Sequence, residues 1–201
     1  PLIVVWDGKD YLRRARLPVI VDNLIAQRRI QPVALAMIDN GGPARIVEYA
    51  CSEASLLFLL STVFPLANAQ LNLHDITAHP GSFGVMGASM GGLMALYTAL
   101  RLPHIFGRTL CQSGAYAFDD FDTLTFDLVR HSDAKNVRIW MDAGLYDFKS
   151  LLAANRRMQD LLAKHNFTFE YREYPAGHNY PAWRDELWRG LEYLFPPTNF
   201  S

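Results

Sequence analysis

Ser89 stands between glycines in Gly87-Ala88-Ser89-Met90-Gly91, with apolar Phe83–Met86 before it and Leu93–Tyr97 after it. This is G-x-S-x-G where a strand passes into a helix, the setting of a nucleophile elbow. A sharp turn there lifts the Ser89 hydroxyl out of the sheet. It also aims the Met90 N–H, at a helix N-terminus, at the oxyanion formed during acyl transfer. Side chains at 87 and 91 would collide with the strand or the helix, hence the glycines. A glycine turn that only packs a helix on a strand would give the same five residues, but the flanking strand and helix favour the elbow.

A serine hydroxyl needs a base, and the base needs a group to orient it. Six histidines compete. His104 and His165 fall at helix ends, His74 and His79 precede the nucleophile strand at its amino end, and no strand end places His131. His178 lies in Pro175-Ala176-Gly177-His178-Asn179, directly after the last strand and before the last helix, and is the chosen base. For the acid, the loop after Val137–Met141 offers Asp142 and Asp147. Asp142 continues the strand and is expected to bond to local backbone. Asp147 is far enough out to reach His178 and is preferred, although it could also cap the next helix. The order is then nucleophile, acid, base. The second oxyanion donor is sought in Asp7-Gly8-Lys9: the Lys9 N–H first, Gly8 as the fallback, with the Asp7 and Lys9 side chains pairing at the surface. Arg45, Glu48, Tyr116 and Trp183 are candidate substrate contacts, Tyr146 and Tyr180 further wall candidates, and Arg13 and Arg14 read as solvated helix charges.

These residues need a scaffold. Strands are expected at Leu2–Trp6, Pro32–Ile38, Phe83–Gly87, Arg108–Gln112, Val137–Met141 and Thr168–Tyr174. Helices are expected at Pro18–Arg29, Glu53–Leu71, Met90–Leu102, Ser150–His165 and Ala182–Leu194. Near-continuous apolar strands alternating with helices predict an α/β fold with a mostly parallel, doubly wound sheet of about six strands. Ligands then belong beyond the strands' carboxyl ends, in loops starting at Asp7, Asp39, Ala88, Ser113, Asp142 and Pro175. No repeat or linker interrupts residues 1–201, which are taken as one catalytic domain.

Composition excludes more than it selects. Half of the 201 residues are hydrophobic and the net charge is −1, so no electrostatic attraction to nucleic acid or an anionic membrane is expected. Apolar runs such as Ser55–Leu66 are too short to span a bilayer and read as buried helix. Cys51 and Cys111 have no metal-ligand spacing and are expected as free thiols, which would suit a cytoplasmic setting without fixing the compartment. The chain opens inside a strand without Met, so residues upstream of Pro1 are expected to be missing.

With these residues placed, the chain resembles the Putative esterase family of α/β-hydrolases, in its enterochelin (siderophore) esterase-like branch. The resemblance rests on Asp7-Gly8 ending the oxyanion strand, on Ile38-Asp39 through Arg45 to Glu48, and on Gly91 through Tyr97. It rests further on Gln112 to Tyr116, and on Tyr174-Pro175, Gly177-His178 and Trp183-Arg184. It implies the α/β-hydrolase fold with the first two of eight strands absent, and Asp147 as the family acid. The expected function is a serine carboxylesterase acting on a small-molecule ester through an acyl-enzyme, without metal or organic cofactor. A siderophore esterase, acyl transfer to another acceptor, and a non-catalytic binding module with an inherited elbow stand as alternatives. Oligomeric state is left open.

Overall fold

Strand β1, Leu2–Trp6, is apolar at every position and supplies two cores at once. Successive strand side chains point to opposite faces. Leu2, Val4 and Trp6 therefore join one cluster with Leu56, Met94 and Met158. Ile3 and Val5 join the other, with Leu17, Val21, Leu187 and Leu191. A sheet with such strands is stable only when helices cover both faces. The computed structural model has that layered form and describes residues 1–118 and 121–197. The end of the 1–201 range taken as one domain, 198–201, lies outside the described residues.

The other strands of the sheet are β2 (Ala34–Ile38), β3 (Phe83–Ala88), β4 (Phe106–Gln112), β7 (Arg138–Gly144) and β8 (Thr168–Tyr174). All pair in parallel in the order β2-β1-β3-β4-β7-β8. A two-residue hairpin, β5 (Ala117–Phe118) with β6 (Phe121–Asp122), stands apart from it. The chain goes from β1 outward to β2, then returns to β3 on the other side of β1. Strand order thus reverses between β1 and β3, and a crevice opens above their carboxyl ends. Register sets Val5 opposite Met86, so the residues leaving β1 run beside those leaving β3.

Helices α1 (Gly8–Arg13), α2 (Leu17–Ala26) and α9 (Tyr180–Leu194) cover one face. On the other lie α3 (Arg45–Tyr49), α4 (Glu53–Phe58), α5 (Phe64–Gln70), α6 (Met90–Arg101), α7 (Leu124–His131) and α8 (Lys149–Lys164). Apolar periodicity did not indicate α1, α3, α7 or the hairpin, all short. The single helix expected over Glu53–Leu71 is broken by a π segment at Leu59–Val63. Pro65 accounts for the break: it has no N–H for the Ser61 carbonyl, and its ring crowds that carbonyl, so the preceding turn widens. Among the described residues no single helix is long and apolar enough to cross a membrane.

Candidate active site

Ser89 leaves the buried strand β3 with φ 58° and ψ −119°, a conformation that side-chain-bearing residues rarely adopt. Such a residue costs roughly 1–3 kcal/mol and persists only where its surroundings hold it. Both its peptide groups are tied to the segment leaving β4: Ser89 N–H donates to Gln112 O at 2.8 Å, and Ala115 N–H donates to Ser89 O at 3.0 Å. Gly87 lets α6 descend onto the strand, since a Cβ there would lie 2.4 Å from the Gly91 carbonyl carbon. The Met90 N–H, first in α6, meets no acceptor among the described residues.

Two loops at the far side of β4 are fastened backbone to backbone. Leu145 N–H donates to Tyr174 O at 2.8 Å and Tyr146 N–H to Ala176 O at 2.9 Å. This brings Asp147 Oδ1 to 2.8 Å from His178 Nδ1, while the same oxygen accepts the Phe148 N–H at 2.7 Å. Burial pushes the Asp147 carboxyl up, but the hydrogen bond to His178 and the neighbouring Ser113 hydroxyl outweigh it, leaving its pKa below the ordinary carboxylate value. Phe148 packs against the imidazole at 5.1 Å, and Trp183 meets it edge to face at 4.9 Å. Trp183 Nε1 in turn donates to Ser113 Oγ at 3.1 Å. Asn179, next to His178, starts α9 by accepting the Ala182 N–H, two residues earlier than the apolar pattern suggested.

Asp142 is not bonded to local backbone as expected. It is fully buried and accepts from Trp140 Nε1 at 2.9 Å, Gln112 Nε2 at 3.3 Å and Tyr174 OH at 3.3 Å. Gln112 also donates to Trp183 O at 2.9 Å and accepts from Tyr11 OH at 3.0 Å. These polar groups form a layer beneath the cleft. Desolvation drives the Asp142 pKa up to about 7, against the pull of its three hydrogen bonds.

Ser89 and His178 line one cleft of about 260 Å³, together with Arg14, Arg45, Tyr180 and Trp183. Of the expected substrate contacts, Arg45 and Trp183 lie on it. Tyr116 does not: it is 0% exposed, in the core with Cys111 and Phe126. Glu48 accepts the Gly41 N–H at 2.8 Å and faces a neighbouring groove instead. Arg14, read as a solvated charge, stacks over the Tyr180 ring at 4.7 Å.

The segment after β1 differs most from expectation. Asp7 is 1% exposed and pairs with Arg45, not Lys9. The Lys9 N–H, chosen as oxyanion donor, already donates to Asp39 Oδ1 at 2.6 Å. The Asp7 N–H donates to Tyr49 OH at 3.0 Å. Gly8, the fallback, has an N–H with no acceptor among the described residues. Ser113 and Asp39 open two of the loops the topology had marked for search, a signal that could have drawn them into the site. Asn40 follows in the loop that Asp39 opens, whereas Tyr49 carried no such mark. No His, Cys, Asp and Glu cluster suited to a metal occurs among the described residues.

The sequence model of the family described as Putative esterase matches residues 1–194. The chain is 29% identical over 210 residues to an iron(III) enterobactin esterase of Dickeya dadantii, covering 96% of this chain and 47% of that protein. It is 26% identical over 204 residues to the iron(III) enterobactin esterase of Escherichia coli, covering 98% and 50%. A crystal structure of the enterobactin esterase of Shigella flexneri, in the presence of 2,3-dihydroxy-N-benzoyl-glycine, superposes with a TM-score of 0.87 at 25% identity over 96% of this chain and 52% of that one. The S-formylglutathione hydrolase of Staphylococcus aureus shares the fold, with a TM-score of 0.72 at 18% identity over 96% and 80%. The chain thus spans about half the length of the enterobactin esterases it matches.

Two substitutions test this architecture. Gly87→Ala forces backbone apart at the elbow and is expected to lower stability by about 1–3 kcal/mol in urea unfolding, as overpacking does; a stability equal to wild type would show that the turn is not under that constraint. For Asp142, the folded chain keeps a proton between about pH 4 and about pH 7 that the unfolded chain releases. Stability should therefore fall as pH rises through that window. Asp142→Asn should remove that part of the slope, and equal slopes in the two proteins would contradict the raised pKa.

Proposed function

Because the chain belongs to the Putative esterase family, we propose that it hydrolyses carboxylic esters of small molecules, with Ser89 as nucleophile, His178 as base and Asp147 as the group orienting that base. The supporting observation is a serine in a strained turn sharing one cleft with a histidine whose Nδ1 is held by a carboxylate at 2.8 Å. With Nδ1 committed to Asp147, Nε2 is the nitrogen left for the cleft. It takes the Ser89 proton as Oγ attacks the ester carbonyl. The Met90 and Gly8 N–H groups receive the oxyanion, and the alcohol departs with the proton His178 had taken. Water, deprotonated by the same imidazole, then attacks the acyl group and regenerates the Ser89 hydroxyl. Asp147, kept anionic by its hydrogen bonds, stabilises the imidazolium formed in each step.

A narrower reading takes the substrate to be a catecholate ester of the siderophore type. The names of the relatives at 26% and 29% identity favour it. So does the Arg14 guanidinium lining the cleft, which suits an anionic substrate.

Hydrolysis of p-nitrophenyl butyrate and of a catecholate trilactone tests both levels. Turnover of either supports the esterase, and a kcat/KM at least tenfold higher on the trilactone supports the narrower reading. Ser89→Ala and His178→Ala should each lower kcat by at least about 10⁴-fold, and Asp147→Asn by about 10³–10⁴-fold. If Asp147→Asn keeps its rate while Asp142→Asn loses it, the acid is misassigned. No turnover of any ester would leave a binding module as the better account.

A further inference from the structure

Three consecutive N–H groups follow β1, and the segment after β2 takes two of them. Asp7 N–H goes to the Tyr49 hydroxyl and Lys9 N–H to the Asp39 carboxylate, which leaves Gly8. The same segment grips the Asp7 side chain. Arg45 donates from Nε to Asp7 Oδ1 at 2.7 Å and from Nη2 to Oδ2 at 2.6 Å, and Asn40 Nδ2 adds a third bond at 2.6 Å. Arg45 Nη2 also reaches the carbonyl of Ala88, the residue before the nucleophile, at 3.4 Å. Its guanidinium lies 5.2 Å from the Tyr49 ring centroid. One side chain therefore touches both the turn after β1 and the turn after β3.

The held turn is strained. Asp7 has φ 58° and ψ 42°, left-handed values that a non-glycine residue keeps only under constraint. Gly8 lies so close to β2 that a Cβ would stand 2.6 Å from the Met37 carbonyl carbon. A two-pronged guanidinium–carboxylate pair, buried on the carboxylate side, fixes orientation as well as distance. A substrate-binding cation would keep its donors free; this one spends three contacts on protein oxygens.

We propose that Arg45 is a positioning residue: through Asp7 and the Ala88 carbonyl it locks the β1 turn against the nucleophile turn, and so holds the Gly8 N–H where the oxyanion forms. This rests on the esterase reading above and deepens it, because it assigns the second oxyanion donor and the device that aims it. Oxyanion donors act by being in place before charge develops, so loosening the turn should slow the chemical step without weakening substrate binding.

The test is steady-state kinetics on an ester that the wild-type protein turns over. Arg45→Ala should lower kcat about a hundredfold with KM changed less than about threefold. Guanidinium ion added at tens of millimolar should restore at least tenfold of that loss in Arg45→Ala and none in Asp7→Ala. Arg45→Lys should rescue little, since one ammonium cannot bridge both carboxylate oxygens and the carbonyl. Tyr49→Phe, nearly isosteric and outside the cleft, should lower kcat about tenfold with the same unchanged KM, which keeps the idea testable if Arg45→Ala folds poorly. A rise in KM at constant kcat in Arg45→Ala would make Arg45 a substrate contact and overturn the proposal, as would wild-type kcat. If the wild-type protein turns over no ester, the preceding reading fails on its own account. Amide hydrogen exchange then decides the brace: faster exchange at residues 7–9 in Arg45→Ala supports it, and unchanged exchange overturns it.

Discussion

The molecule is organised around one unfavourable backbone conformation, the turn at Ser89. A serine at φ 58° between a fully buried strand and a helix buried from Met90 to Leu100 cannot relax toward solvent. Its peptide groups are taken by Gln112 and Ala115 on one side, and glycine at 87 admits the helix on the other. The strain is retained because relieving it would break bonds to a neighbouring strand and unpack α6. That rigidity holds the Ser89 hydroxyl at a fixed place, to which the other groups can be brought.

Two separate fastenings do so. On the β1 side, the segment from Asp39 to Tyr49 clamps Asp7 and Lys9, either side of Gly8, with the Tyr49 hydroxyl, the Asp39 carboxylate, the Asn40 amide and a paired guanidinium. On the β7–β8 side, backbone bonds join the loop of Asp147 to the loop of His178 before their side chains meet. Beneath both lies the layer of Tyr11, Gln112, Asp142, Trp140 and Tyr174. Buried polar layers of this kind are costly when incomplete and orienting when satisfied. Here the layer accepts one carboxyl whose proton is retained toward neutral pH, and Gln112 links it to the backbone of Trp183, whose ring packs on His178.

What the sequence disclosed follows from how local each signal is. The Ser89 turn is written in five adjacent residues, and His178 and Asp147 each lie a few positions beyond a strand. Strand order then places them at one end of the sheet. The clamp on Asp7 escaped because its partners lie 33 to 42 positions away and meet only through the β1–β2 pairing, which no spacing reports. For the same reason Lys9 looked free when Asp39 had taken its N–H. Tyr116 looked like a wall because an aromatic near a strand end does not declare which way it turns. The π segment was legible in principle from Pro65, had the proline been weighed against the apolar pattern around it.

The central claim is that the Ser89 hydroxyl is a nucleophile activated by His178. Intact-mass measurement after exposure to a fluorophosphonate tests it without any assumption about substrate. The account predicts a single adduct mapped to Ser89, lost in Ser89→Ala and formed far more slowly in His178→Ala. A wild-type protein left unmodified, or one modified equally fast without the imidazole, would contradict it.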